Sequence, residues 1–400
     1  MRSSSKPSRR HKSSGTVASL LIGGLAALGS AQAATYTIGS VVADGLANPR
    51  SVVVGPDGAL WIVEAGSGGD GPSIVNGAGE TVFYGTTGSV LRAMGGAAET
   101  VIADLPSLAP AGGFGGGGAH DLAFGPDGTP YVLFGFGADP NLRSAFAGQD
   151  GAELLGQLAA WDGAALVPLA SLADFELTNP DGAELNSNPY GVAASGDGFV
   201  VTDAGGNSLL DVAADGTIST RAVLPEEPNP LPFGPPVYQA VPTGIALGEA
   251  GEVLVAQLTG FPFPPGGADV FAVGEDGSVS SAAAGFTNLI DVAFGADGTI
   301  FALELDSDSL IGPEMTGSLW MIDDLGVRTL LYGGFMSPTS VAIGPNGEIW
   351  VAENGLSPTD GRVVELSAVP LPGALPLMAG GLVLLALLRR RRIDHRLFAG

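Results

Sequence analysis

The chain has 400 residues, 64 of them glycine and 29 proline, with no cysteine and a formal net charge of −25. So much glycine and proline without a collagen period calls for many turns, while a 45% apolar content excludes a disordered polymer. With no disulfide available, the fold must rest on burial and chain closure.

Residues 1–33 read as an export signal: basic "MRSSSKPSRRHKSSG", apolar "TVASLLIGGLAALG", then "AQA" ending at Ala33, where signal peptidase would cut. Arg9 and Arg10 suggest twin-arginine export, but His11 and Lys12 behind them favour general secretion. Between the two ends, residues 34–388 hold six arginines, no lysine and 40 acids, a net −34. Such a surface repels nucleic acid and anionic lipid, which excludes both as partners of this domain.

Along 34–368 one phrase recurs six times: "RSVVVGPDGALWIVEAG" from Arg50, "HDLAFGPDGTPYVLFGFG" from His120, "YGVAASGDGFVVTDAGG" from Tyr190, "TGIALGEAGEVLVAQLTG" from Thr243, "IDVAFGADGTIFALELD" from Ile290 and "TSVAIGPNGEIWVAENG" from Thr339. Each copy alternates apolar residues across a glycine-bearing turn, a β-hairpin signature. A weaker hairpin follows each of the first five, so each unit supplies four antiparallel strands. The expected fold is all-β, a six-bladed β-propeller in which neighbouring sheets bury one another's faces. The sixth copy has one further strand, "RVVELS" at 362–367, and "TYTIGSVVADGL" at 35–46 resembles its missing partner. An N-terminal strand would then complete the last blade and close the ring.

The first two units carry insertions at 66–88, 106–118 and 136–156, and a further loop spans 225–239. These could form a functional face or a structural cap. The glycine-rich stretch "GGFGGGG", 112–118, reads as a flexible loop without phosphate-binding context. No P-loop, nucleophile elbow, zinc motif or dinucleotide fingerprint occurs.

The third unit, "NPYGVAASGDGFVVTDAGGNSLLDVAADGTIS", resembles an NHL repeat. More widely, "GGDGP", "YGTTGSVLR", "HDLAFG", "NSNPYGV", "TDAGGNSLL", "QAVPTGIALG", "LTGFPFP" and "GFTNLIDVAFG" resemble, in that order, the ScyD/ScyE family of exported propellers. The resemblance implies an extracytoplasmic six-bladed fold and little about chemistry. Members often carry a cysteine pair after "GGDGP", where this chain has Ser73.

Four acids, Glu64, Asp203, Glu304 and Glu353, fall at matching positions after the turns, with Phe134 and Gln257 in the other two copies. Acids arranged around a ring could bind Ca²⁺, which favours oxygen ligands. NHL-like repeats, however, use this acid to accept hydrogen bonds from the following loop, and that structural reading is preferred. The starts of the innermost strands should face one channel mouth. There Arg50, His120 and Tyr190 fall on consecutive blades, and Asp121 and Asp291 three blades apart. The cluster offers a site for a carboxylated or aromatic ligand, or a metal held by Asp121, Asn188 and Asp291. Six-bladed lactonases, which look related, place a metal with Glu, Asn and Asp ligands at such a mouth, a set this chain does not cleanly match.

Residues 369–400 open with "VPLPGALPLMAGGLVLLALLRRRR", which joins an apolar stretch to Arg389–Arg392. This resembles the VPLPA-type variant of PEP-CTERM sorting tails, with Gly373 in place of the usual Ala. The resemblance implies cutting by an exosortase and delivery to the envelope or exopolysaccharide of a Gram-negative bacterium. A plain transmembrane C-terminal anchor is the alternative, and either way the tail would be the only membrane contact. Two functions remain open: a non-catalytic scaffold binding a surface glycan, matrix component or small molecule, or a metal-assisted hydrolase or cyclase-type enzyme at the mouth.

Overall fold

Each inner hairpin forms where the repeated turn allows the chain to reverse. In the computed structural model, which describes residues 36–248 and 251–369, Gly58, Gly128, Gly298 and Gly347 occupy their turns at φ of 77° to 86°. That left-handed region is open to glycine and strained for residues with a Cβ. Asp57, Asp127 and Asp297 accept the backbone N–H two residues on, which fixes the reversal.

The strands gather into six four-stranded antiparallel units. The first contains Pro49–Val54, Leu60–Glu64, Thr81–Met94 and Ala97–Ala109. The second contains Gly117–Phe124, Pro130–Phe134, Gln157–Trp161 and Leu166–Ser171. Units three to five open on Pro189–Ser195, Pro242–Leu247 and Leu289–Phe294 and continue in simple meander order. The sixth runs Ser340–Ile343, Ile349–Glu353 and Gly361–Ala368. Tyr36–Leu46 lies antiparallel to its last strand, from Tyr36 opposite Ala368 to Leu46 opposite Gly361. The sequence pattern did not foresee that the first two units are joined: Ser107 pairs with Gly118 and Leu108 with Gly117. The long insertions draw these strands past the usual blade edge.

The six innermost strands are neighbours in cyclic order, the sixth returning to the first. A separate apolar cluster fills each junction. Between the first two units it includes Val63, Val90, Leu122 and Phe134; between the sixth and first it includes Leu46, Ile62, Ala352 and Val363. Burial at about 25 cal/mol per Å² of apolar area therefore acts between sheets, so a single unit has little reason to fold alone. The result is an all-β fold of antiparallel sheets in a six-bladed, propeller-like arrangement.

The insertions are ordered against one another. Ile74, Tyr84, Phe136, Phe146 and Leu155 form a seventh apolar cluster above the first two blades, and the Tyr84 hydroxyl donates to the Asp150 carbonyl at 2.5 Å. The glycine-rich stretch is pinned rather than free: Gly113 O accepts from Asn48 Nδ2, Gly115 N donates to Leu356 O, and residues from Gly117 onward join a strand. Its glycines permit close backbone approach, since a Cβ on Gly116 would clash with the Gly66 carbonyl oxygen.

The export signal and the sorting tail lie outside the described residues. The transmembrane expectation is corrected: no helix among the described residues is long and apolar enough to cross a membrane.

Candidate functional site

In five of the six inner strands the ladder slips by a residue near the strand start. The shifts fall between Pro49 and Ser51, Ala119 and Asp121, Pro189 and Val192, Pro242 and Ile245, and Leu289 and Asp291. A bulge of this kind re-aims the extra side chain. Arg50, His120 and Tyr190 are such extra residues, and they turn together into one pocket.

That pocket has a volume of about 140 Å³ and is lined by Arg50, His120, Tyr190, Asn188 and Asn76 with apolar neighbours including Phe136. The His120 and Tyr190 rings lie 5.1 Å apart between centroids. The Arg50 guanidinium donates to the Gly116 carbonyl through Nε at 3.1 Å and through one terminal nitrogen. His120 Nδ1 lies 2.9 Å from the Pro189 carbonyl, an acceptor, so the proton sits on Nδ1 and Nε2 keeps its lone pair. Burial, followed by the Arg50 charge, lowers the His120 pKa to about 3. The imidazole is therefore neutral at any physiological pH. Burial pushes the Tyr190 hydroxyl up to about 12, although the Arg50 charge opposes it. The Arg50 guanidinium lies beside the hydroxyl, but no hydrogen bond of ordinary geometry reaches it.

Asp121 and Asp291 are placed apart from this trio, on the wall of the central channel. That channel has a volume of about 380 Å³ and is lined by all six inner strands, with Ser51 and Ser340 among its polar residues. Both carboxylates staple neighbouring blades. Asp121 Oδ1 accepts from Ser51 Oγ of the first blade at 2.6 Å, and its Oδ2 accepts from Val192 N of the third at 2.8 Å. Asp291 Oδ2 accepts from Val341 N of the sixth blade at 2.8 Å. Hydroxyls serve the other junctions: Thr202 Oγ1 donates to Thr243 O, Thr243 Oγ1 to Leu289 O, and Thr339 Oγ1 to Pro49 O. Burial raises the pKa of Asp121 to about 6 and that of Asp291 to about 7.

The three residues named for a metal are thus divided: Asn188 lines the mouth pocket, while Asp121 and Asp291 line the channel with N–H and O–H donors on their oxygens. Among the described residues no group of three His, Cys, Asp or Glu side chains is placed to hold a metal. The repeat acids stay on separate blades; three of them take loop donors, and Glu353 pairs with an arginine of the adjacent strand. Glu64 accepts from Ala47 N at 2.6 Å and from Ser89 Oγ. Asp203 accepts from Asn188 N at 2.6 Å and from Gly205 N, Gly206 N and Ser187 Oγ. Glu304 takes Thr287 N, Ser307 Oγ and Trp320 Nε1, and Glu353 pairs with Arg362. Asn76, from the first insertion, was not anticipated in the pocket, since nothing in the repeat pattern says where an insertion folds back.

No family model matches the chain, and none of the curated proteins matches it. Among solved structures it is similar to a protein of unknown function from Bacteroides thetaiotaomicron, at 10% identity over 84% of this chain and 76% of that one, with a TM-score of 0.51. It is also similar to virginiamycin B lyase from Staphylococcus aureus, at 13% identity over 84% and 99% of the two chains, TM-score 0.46. A gluconolactonase from Xanthomonas campestris matches at 12% identity over 82% and 88%, TM-score 0.39. At these identities the likeness is one of fold alone, carried by the Bacteroides protein, and it does not reach as far as the ScyD/ScyE family.

Proposed function

We propose that this is an exported propeller that binds the carboxylate-bearing end of a sugar or other small molecule in the mouth pocket. The observation that carries the reading is the grouping, in one small cavity, of three polar functions that keep hydrogen-bonding capacity beyond their contacts within the protein. Arg50 supplies a cation, His120 Nε2 a bare acceptor and Tyr190 an unpartnered hydroxyl. A carboxylate with a hydroxyl next to it would satisfy all three, and removing unsatisfied polar groups is worth about 1–3 kcal/mol each. About 140 Å³ corresponds to roughly five water volumes, which suits a terminal group rather than a polymer segment. In a domain with so few cations, Arg50 would also select the anion.

A second reading, turnover of that ligand, is favoured by His120 Nε2 facing the same pocket. An imidazole whose pKa is about 3 is a weak base. An anion that neutralised Arg50 would strengthen it, so binding precedes any catalysis. The residues proposed for metal assistance do not form a ligand set, and no step is assigned to a metal.

The export signal at 1–33, the sorting tail at 369–400 and the ScyD/ScyE resemblance support delivery to the cell envelope or its exopolysaccharide. Pairing of Tyr36–Leu46 with Gly361–Ala368 supports ring closure by the N-terminal strand. Calorimetric titration with glucuronate and with glucose tests the binding reading. Saturable binding of glucuronate alone, weakened by Tyr190→Phe and lost in Arg50→Gln, is expected. Equal binding of both sugars, or an unaltered Arg50→Gln, refutes it.

A further inference from the structure

Buried oxygens without a donor concentrate at one corner of the third blade. Glu176 ends the short helix Leu172–Glu176 and is only 2% exposed, yet its Oε1 finds no hydrogen-bond donor in the protein. Ser208 is fully buried with Oγ unpartnered, and Asn186 Oδ1 is likewise buried and unpartnered. Only the Ser208 hydroxyl carries a proton to give, so it can serve at most one of the Glu176 and Asn186 oxygens and leaves the other without a donor from this group.

The turn at Gly205 and Gly206 brings them together. A Cβ on Gly206 would lie 2.6 Å from Glu176 Oε2 and 3.5 Å from Ser208 Oγ, and one on Gly205 would lie 2.6 Å from the Asn186 carbonyl oxygen. Asp181 and Asp203 stand close enough to Glu176 for their charges to act on it. Their own oxygens are engaged: Asp203 by four donors, Asp181 by Ala183 N and Asn207 Nδ2. Arg143, on the short 3-10 helix Pro140–Phe146, pairs with Asp174. The Asp203 and Asp181 charges therefore act on a buried carboxyl group that no arginine or lysine pairs with among the described residues.

We propose that Glu176, Asn186 and Ser208, gathered around the Gly205–Gly206 turn, bind one divalent cation, calcium in the setting of an exported protein. One carboxylate joined by amide, carbonyl and hydroxyl oxygens is a hard, irregular donor set of the kind calcium accepts, with water completing the shell. Magnesium demands near-octahedral geometry and sheds its water reluctantly, which disfavours it here. An entry path exists, because Asn186 and Gly205 also line a cavity of about 240 Å³ whose wall includes Asp139 and Glu184. The site is separate from the mouth pocket and does not depend on what that pocket binds.

Equilibrium dialysis of chelator-stripped protein against Ca²⁺, with a parallel thermal melt, tests the proposal. One ion per chain is expected, with a Kd on the order of 10⁻⁴–10⁻³ M as in extracellular modules, and a melting temperature that climbs with Ca²⁺ concentration. Glu176→Gln should weaken binding at least about tenfold while the apo form stays folded, because the amide matches the carboxyl group in size. Asp308→Asn, in a different acidic loop, should leave binding unchanged. If Glu176→Gln does not fold, Ser208→Ala and Asn186→Ala take its place, each with weakened binding expected. Absence of saturable binding up to 10 mM Ca²⁺, or wild-type affinity in the variants that fold, overturns the proposal; the oxygens would then be served by water and by a protonated Glu176.

Discussion

Replacing Asp121 by Asn separates the geometric role of this staple from the burden of its charge. In the native protein Asp121 joins the first, second and third blades through Ser51 and Val192. Its pKa rises from 3.8 to about 6 because burial disfavours the ion. A group raised in this way contributes stability that is fully present below pH 4 and lost as the pH climbs through about 6. A rise of this size corresponds to about 3 kcal/mol at most, and solvent in the channel reduces it to roughly 1–2 kcal/mol. The Asn variant has no such titration, but whichever way its amide turns, Val192 N or Leu122 N loses an acceptor. That loss costs about 1–3 kcal/mol at every pH. Wild type should therefore exceed Asp121→Asn in stability at pH 4, and the gap should close by roughly 1–2 kcal/mol by pH 7.5. Denaturant melts of both proteins at pH 4, 5.5 and 7.5 measure this difference directly, and titrations shared by the two, including that of His120, cancel. Parallel pH profiles would refute the claim that the Asp121 ion is strained by burial.

Deleting residues 34–46 removes the outer strand paired with Gly361–Ala368 and exposes the sixth-to-first junction around Leu46 and Ala43. Loss of a cooperative melt is expected in calorimetry; an unchanged midpoint would count against ring closure by this strand. Phe134→Ala empties a fully buried position between the first two blades and should destabilise by about 3–5 kcal/mol in urea titration. Tyr84→Phe removes only the bond to the Asp150 carbonyl, so a loss near 1 kcal/mol, read in the same titration, would show that the insertion cap contributes to global stability. The His120 ring should keep constant NMR shifts from pH 5 to pH 8, since its pKa is lowered to about 3; a midpoint near 6.5 would mean that the ring is solvated.

The hairpin turns were readable because Gly58 and its counterparts must adopt positive φ, a local demand written in the turn itself. The grouping of Arg50, His120 and Tyr190 was readable for a similar reason: equivalent positions in stacked repeats stand side by side. The separation of Asp121 and Asp291 from that group was not. Repeat spacing alone sets adjacent residues of one strand at one mouth, but the bulge sends Arg50 and His120 into the pocket and Ile290 into the apolar core, and leaves Ser51, Asp121 and Asp291 on the channel wall. A bulge leaves no mark in an apolar–polar pattern. Packing of the insertions against Phe146, and with it the arrival of Asn76 in the pocket, depends on long-range contacts that no repeat unit encodes.

The inter-blade staples are chemically unequal, which bears on how the ring assembles. Six similar hairpins in one chain invite a blade to dock beside the wrong neighbour during folding, since their apolar faces are nearly interchangeable. Only the second and fifth blades present an aspartate at the channel wall, each meeting a backbone N–H on the next blade, whereas the third, fourth and sixth offer a threonine hydroxyl to a carbonyl. A blade docked out of order would take the Ser51 hydroxyl away from Asp121, and a buried carboxylate short of donors is penalised. The inner rim thus favours one order of blades, because only that order satisfies every one of these hydrogen bonds at once.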